Sequence, residues 1–343
     1  MLHLRLIAPS ERSAAVADLL AADPGVTHLA VLPGAARQPP GDLILCDVVR
    51  ESADGVLRGL QELGVEQNGG VSATDVELAL SAAAEKAADT VPGSGTDAVV
   101  WDEIAAQTGE QTQLSGTYLA LIIVATVIAG IGVLLDQPIL VVGAMVVGPE
   151  FGPLAALCVA LLRRDGRTVR SALRALVVGF VVAMVVTVLS TWALTAAGLV
   201  AREMLVAERP LTDFIWRPDA LSWLVGMLAG IAGMLSLTSK KSGSLVGVLI
   251  SVTTVPAAAN VAVALAYGVW HEAAGSALQL VINLCAIVLA GLLTLGVQRF
   301  WWGRYSHPAG ASRVPGRRRP PAGEALPPTP QSDPPSERRD ASR

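Results

Sequence analysis

Residues 138–162 read PILVVGAMVVGPEFGPLAALCVALL, and the fold turns on how this stretch is understood. It has the length and apolarity of a membrane-spanning helix, yet Gly148, Pro149, Glu150, Gly152 and Pro153 stand at its midpoint. A bilayer interior holds no water to satisfy freed backbone groups. Prolines flanked by glycines are therefore tolerated at that depth only where the helix breaks against protein or beside a wet cavity. Glu150 sits in the expected break, and a carboxylate at membrane depth points to function by default.

Working outward, five more apolar stretches are long enough to cross a bilayer: about 117–135, 172–200, 221–237, 245–270 and 277–297. Overall the chain is 52% hydrophobic with a mean hydropathy of +0.54, and the apolar residues crowd after residue 115, so a polytopic membrane protein is expected. Basic residues cluster after the second stretch (Arg163, Arg164, Arg167, Arg170, Arg174), after the fourth (Lys240, Lys241) and at the start of the tail (Arg299, Arg304). The alternate connections, Asp136-Gln137, Arg202 to Asp219 and His271-Glu272, lack a basic excess. The positive-inside rule then places both termini in the cytoplasm, with Trp301, Trp302 and Tyr305 as an interfacial anchor.

The first three stretches map onto the last three. In each set the second member carries a proline near its middle, Pro149 in one and Pro256 in the other, each followed by small residues. A three-span unit that starts inside ends outside, so its copy runs the opposite way, giving a 3+3 inverted repeat. Paired interrupted helices in two inverted halves point to a substrate site near the midplane. The candidate site comprises Gly148, Pro149, Glu150, Gly152, Thr253, Thr254, Pro256, Asn260 and Asn283, with Gln279 as a further polar side chain. The plainer reading is that proline kinks are common in membrane helices and that buried amides and hydroxyls glue helices together. The small-xxx-small faces at Gly226 to Gly230 and Gly243 to Gly247 need only close packing.

Residues 1–114 carry 6 basic and 17 acidic side chains, against 10 and 8 in 115–298 and 9 and 4 in 299–343. The acidic head excludes nucleic acid as a partner. Leu2, Leu4 and Leu6 alternate with His3 and Arg5 as in a half-buried strand, without the apolar run of a signal peptide. Ser10 is expected to cap a helix to Ala22 that Asp23-Pro24-Gly25 stops. Strands follow at 26–32 and 41–50, then a helix with Val56, Leu57, Leu60 and Leu63 in register and Gly64 as terminator, then a strand at 71–76. The order β-α-β-β-α-β predicts a ferredoxin-like α+β domain over residues 1–80. Residues 81–114 form a connector in which Pro92 to Gly95 is a flexible break and Asp97 caps an amphipathic helix. The membrane domain is set at 115–298. Residues 299–343 form a basic tail with 9 prolines from His307 onward, too polar to fold alone, whose Arg317-Arg318-Arg319 could meet anionic lipid.

Four runs then carry a family likeness: LSGTYLALIIVATVIAGIGVLLDQPILVV (114–142), GAMVVGPEFGPLAALCVALLRRD (143–165), GSLVGVLISVTTVP (243–256) and VINLCAIVLAGLL (281–293). They resemble the bacterial and archaeal hydrophobic-domain family called domain of unknown function 389, over about residues 1–298. The resemblance implies an α/β head before a membrane domain, with motif positions at Gly143, Met145, Pro149, Gly152, Pro153, Pro256 and Asn283. It leads one to expect an uncharged residue at Glu150 and a second proline at Ala257, where this chain departs. The family has no established activity, so no catalytic residues carry over.

No Gly-Lys phosphate loop, His-Glu-x-x-His or Gly-x-Ser-x-Gly motif occurs, and His3, His28, His271 and His307 are dispersed, so an enzyme is not expected. Cys46, Cys158 and Cys285 show no paired spacing, and neither metal nor cofactor is called for. The expected partners are the lipid bilayer, a small solute or ion and a further copy of the chain in a homo-oligomer. The leading expectation is a transporter or channel whose midplane site uses Glu150 as a proton or cation ligand. The alternative is a membrane-anchored sensor or scaffold whose head binds a ligand or partner without transport.

Overall fold

The computed structural model describes residues 1–76, 78–91, 100–217, 220–239 and 254–305. Thr253, Lys240 and Lys241, the Gly243 to Gly247 face, the Pro92 to Gly95 break, Asp97, the Arg317 cluster and the side chains of Trp302 and Tyr305 lie outside the described residues.

The head begins with β1 (Leu2–Ala8), α1 (Ser10–Ala22), β2 (Val26–Arg37), β3 (Pro40–Val48), α2 (Arg50–Glu62), the short α3 (Val65–Asn68) and β4 (Gly70–Asp75). Its four strands form one antiparallel sheet in the order β2-β3-β1-β4. Alternation does the sorting: Leu2, Leu4 and Leu6 of β1 and Ile44, Cys46 and Val48 of β3 bury against Val16 and Leu20 of α1 and Val56, Leu57 and Leu60 of α2. Burial pushes the Cys46 thiol up to about 12, with the Asp47 charge adding to it, so this cysteine is an inert core residue. Gly64 ends α2 in the left-handed region at φ 64°, as a terminator should. Ser10 does not cap α1. Pro9 holds that position, and the Ser10 hydroxyl instead donates to Asp42 Oδ1 at 3.3 Å.

The connector holds α4 (Ala82–Thr90), capped by Ser81, and α5 (Trp101–Glu110). Residues from Val100 onward are clamped on two sides. Val100 enters the head core, and Arg50, buried, donates to Glu103 Oε2 at 2.7 Å and to Asp75 Oδ1 at 3.0 Å. Ile104 packs with Ala155, Cys158 and Val159 of the membrane domain. Apolar residues on one face of α5 and acids on the other explain the double contact.

The membrane domain comprises α6 (Gly116–Leu134), α7 (Pro138–Val147), α8 (Phe151–Arg163), α9 (Gly166–Ala196), the short α10 (Arg202–Val206), α11 (Ala220–Thr238), α12 (Val255–Ala266) and α13 (Trp270–Tyr305). Four of these helices, α6, α9, α11 and α13, are long and apolar enough to cross a membrane, and the bent pair α7 and α8 makes up to five. Of the stretch 245–270, the described part is the shorter apolar α12. Every residue from Gly152 to Ala160 in α8, and from Val255 to Ala264 in α12, is buried. Helices buried all round belong in the middle of a bundle, and these two pack among α6, α9, α11 and α13.

The connections sort to two ends. At one, Asp136 accepts from Thr212 Oγ1 at 2.8 Å, Trp192 Nε1 donates to Ala266 O at 2.9 Å, and Trp216 meets the His271 ring edge-on. At the other, Arg163 donates to Asp102 at 2.8 Å, Arg299 to Leu162 O at 3.3 Å and Gln298 to Thr238 Oγ1 at 2.8 Å. The basic connection after α8 and the head thus share an end, opposite the connections that lack a basic excess. Asp165 starts α9 there: hydrogen bonds from the Thr168 hydroxyl and from the Arg167 and Thr168 amides hold its carboxyl below the usual range.

The Gly226 to Gly230 face does seat α11 on α13. A Cβ at Gly230 would stand 2.7 Å from Ile287 O and 2.9 Å from Ala290 Cβ, a backbone approach that only glycine permits. Gly230→Leu should therefore lower the thermal midpoint in detergent by the equivalent of about 1–3 kcal/mol. Gly296→Ala, with nothing within 4 Å of its new Cβ, should leave the midpoint unchanged or raise it.

Candidate functional site

Apolar residues from Pro138 to Val147 propagate α7 until Gly148 adopts ψ 125°, and Pro149 cannot continue the ladder. Glu150 then takes the cap position of α8, and the two helices meet at a bend of 54°. Gly148 and Pro149 are half-buried while Glu150 is 0% exposed. Pro256 lies in the first turn of α12, where its missing N–H costs nothing, and Thr254 takes the cap position there, also 0% exposed.

The two caps touch. The Thr254 hydroxyl donates to Glu150 Oε1 at 3.0 Å. Two buried helices thus begin at one point and run to opposite ends of the bundle, α8 toward Arg163 and α12 toward Tyr267. Each helix N-terminus carries a partial positive charge, and the carboxylate of Glu150 lies between them. Small residues close around the meeting point: Ala125, Ala129, Ala144, Val255 and Ala259 form one apolar cluster.

The other expected site residues divide. Gly152 belongs to the contact with the connector, since a Cβ there would fall 2.5 Å from Gln111 Oε1. Asn260 is buried but turned away from Glu150: its Nδ2 donates to Glu272 Oε1 at 3.0 Å and to Ser276 Oγ at 2.7 Å. Asn283 is buried beside Gly226 of α11. Gln279 is 4% exposed on α13.

Three polar residues escaped the sequence reading. Glu272 is not in a solvent loop but in the first turn of α13, buried and in an ion pair with buried Arg209. Ser276 follows one turn later, fully buried. A charge at the edge of an apolar stretch reads as a loop residue, and nothing in the mixed 202–219 segment marks Arg209 as its partner. No group of three or more His, Cys, Asp or Glu among the described residues is placed to hold a metal ion.

Residues 145–289 match the family model described as Domain of unknown function (DUF389). The DUF389 match takes in the break, both caps, Asn260, Glu272, Ser276, Gln279 and Asn283, and so bears out the resemblance over those residues. An uncharacterized protein of Methanocaldococcus jannaschii is 23% identical over 193 residues, 55% of this chain and 58% of the relative. The chain therefore spans less than two thirds of the length of that curated relative. No solved structure matches the chain.

Thr254→Val removes the hydroxyl that donates to Glu150 Oε1 while keeping the side-chain shape. It should cost about 1–3 kcal/mol of stability, read as a lower thermal midpoint. Thr254→Ser should retain most of the midpoint, because the donor remains.

Proposed function

We propose that this multi-pass membrane protein is a transporter or channel for a small solute or ion, with its site where α8 and α12 meet. The observation that carries the reading is the contact between Glu150 and Thr254. Half-helices that start near the bilayer midplane, run to opposite faces and present their N-termini to one charged group are the recurring design of secondary transporters. Glu150 is the proton or cation ligand, and Thr254 orients it. The opposed directions of α8 and α12 support the inverted repeat, with α6, α7, α8 and α9 as one half and α11 to α13 as the other.

The head's element order and the strand order β2-β3-β1-β4 support a ferredoxin-like reading of residues 1–80. Its attachment to α8 through α5 favours a second role beside transport, in which the head senses a ligand and biases α8. Arg163, Arg164, Arg167, Arg170 and Arg174 support a cytoplasmic position for the head's end of the bundle in a prokaryotic cell membrane.

In liposomes holding purified protein, Glu150→Gln should cut cation or proton flux at least tenfold while expression and thermal midpoint stay near the parent's. Equal flux from parent and variant removes Glu150 from the mechanism. For orientation, a cysteine replacing Asp213 should react with an impermeant maleimide on intact cells. Reaction only after lysis reverses the topology.

A further inference from the structure

Hydroxyls buried in this membrane domain are ordinarily satisfied within their own helix. Thr126, Thr187, Thr191 and Thr238 each donate to the carbonyl four residues earlier, at 2.7 to 2.9 Å. One line of polar side chains on α13 is different in kind, and two of its members, Glu272 and Ser276, bond across to α12. Glu272, Ser276, Gln279 and Asn283 follow each other along α13 at steps of four, three and four residues, so they share one face of the helix. All four are buried, at 6%, 0%, 4% and 0% exposure. Leu278, Val281, Leu289 and Leu293, which stand off that face, are all exposed, as suits contact with lipid. From Glu272 to Asn283 the row rises about 16 Å at 1.5 Å per residue, about half of a 30 Å hydrocarbon core. Beyond it the same face turns apolar with Ala286, Ile287 and Ala290, each 0% exposed.

Facing the row, Asn260 of α12 bonds to both Glu272 and Ser276. Asn260 Oδ1 and Gln279 Oε1 are buried with no hydrogen-bond partner among the described residues. Such acceptors in hydrocarbon are costly as mere glue. At the end that carries residues 201–217, Arg209 reaches in and donates to Glu272 Oε1, while its Nε and Nη1 have no partner among the described residues. Among the described residues the guanidinium is thus held by Glu272 alone, although it could make several hydrogen bonds.

We propose that this row, with Asn260, lines the half-pathway from the 201–217 end toward Glu150 and Thr254, that it takes a small cation, and that Arg209 is a tethered cation occupying its mouth. The ligand class follows from the donor set. Apart from Arg209, the groups gathered here offer a carboxylate, amide oxygens and a hydroxyl, the oxygen ligands by which hard cations are held. Glu272 is the outer carboxylate and Glu150 the inner one, and α12 bonds to both, through Asn260 and Thr254. Leaving of Arg209 frees the outer carboxylate for the permeant ion. This inference rests on the proposed site at Glu150, and the test separates the two.

In a background with Cys46, Cys158 and Cys285 replaced, single variants Ser276→Cys, Gln279→Cys, Leu278→Cys and Val281→Cys of the full chain are reconstituted in liposomes. They are treated with a cationic, membrane-impermeant methanethiosulfonate. The row positions should react at least tenfold faster than Leu278→Cys and Val281→Cys, and adding Arg209→Gln should raise their rates about fivefold further. Should Arg209→Gln fail to fold with Glu272 left uncompensated, Arg209→Gln with Glu272→Gln removes both charges and is expected to react as fast. Sodium, potassium and acid pH are tested as protectants, each rate taken relative to that of a free thiol under the same conditions, because protonation alone slows thiol attack. Whichever slows modification beyond that reference identifies the cation. Row positions as inert as Leu278→Cys in every background overturn the pathway, and protection by none of the three overturns the cation assignment. An inert row with flux that still depends on Glu150 rejects this inference alone. A reactive row with flux indifferent to Glu150→Gln rejects the midplane site instead.

Discussion

Everything in the membrane domain depends on one backbone constraint: a chain that stops being helical inside hydrocarbon must find partners for its freed groups within the protein. Gly148 and Pro149 impose that stop, and the cost is contained because α8 and α12 begin at the same buried point, with Glu150 against two positive helix ends. The arrangement explains why α8 and α12 are buried through most of their length while the surrounding helices expose leucine and valine outward. It also explains the small residues nearby. Ala125, Ala129, Ala144 and Ala259 let three helices approach a point where side-chain bulk would force them apart.

Much of this was legible in the amino-acid sequence, because the relevant signals are local. Proline and glycine amid apolar residues announce the break, and period-two leucines announce β1. The alternation of basic and non-basic connections foretells which of them share an end. What escaped was non-local. Ser10 has the right chemistry for a cap, but Asp42 on the neighbouring strand claims its hydroxyl. Asn260 was assigned to the cavity at Glu150, since its position along the helix says nothing about the direction it faces. Glu272 was assigned to water because its counter-charge, Arg209, lies 63 residues away. Yet the spacing of Glu272, Ser276, Gln279 and Asn283 is itself visible in the sequence, although Glu272 and Ser276 precede the apolar stretch that begins at Ala277.

The connector illustrates how a short amphipathic helix can couple two bodies. Val100 belongs to the head's core and Ile104 to the membrane domain's, one helical turn apart. The ion pairs on either side, Arg50 with Glu103 and Arg163 with Asp102, hold the helix by both flanks. Partly exposed pairs of this kind add little stability individually, so the apolar contacts fix the position and the charges set the register.

The length of α13 has a consequence for where the protein can reside. Trp270 and Trp301 are both exposed, at 71% and 61%, near the two ends of this helix. Thirty-one steps of 1.5 Å separate them by about 46 Å, close to the 40–45 Å of a bilayer with its head groups. Indole rings settle at the boundary between tails and head groups, so the pair acts as a calliper for membrane thickness. A thinner bilayer is matched by leaning the helix over, and because α11 rests on α13 through Gly226 and Gly230, both would lean together.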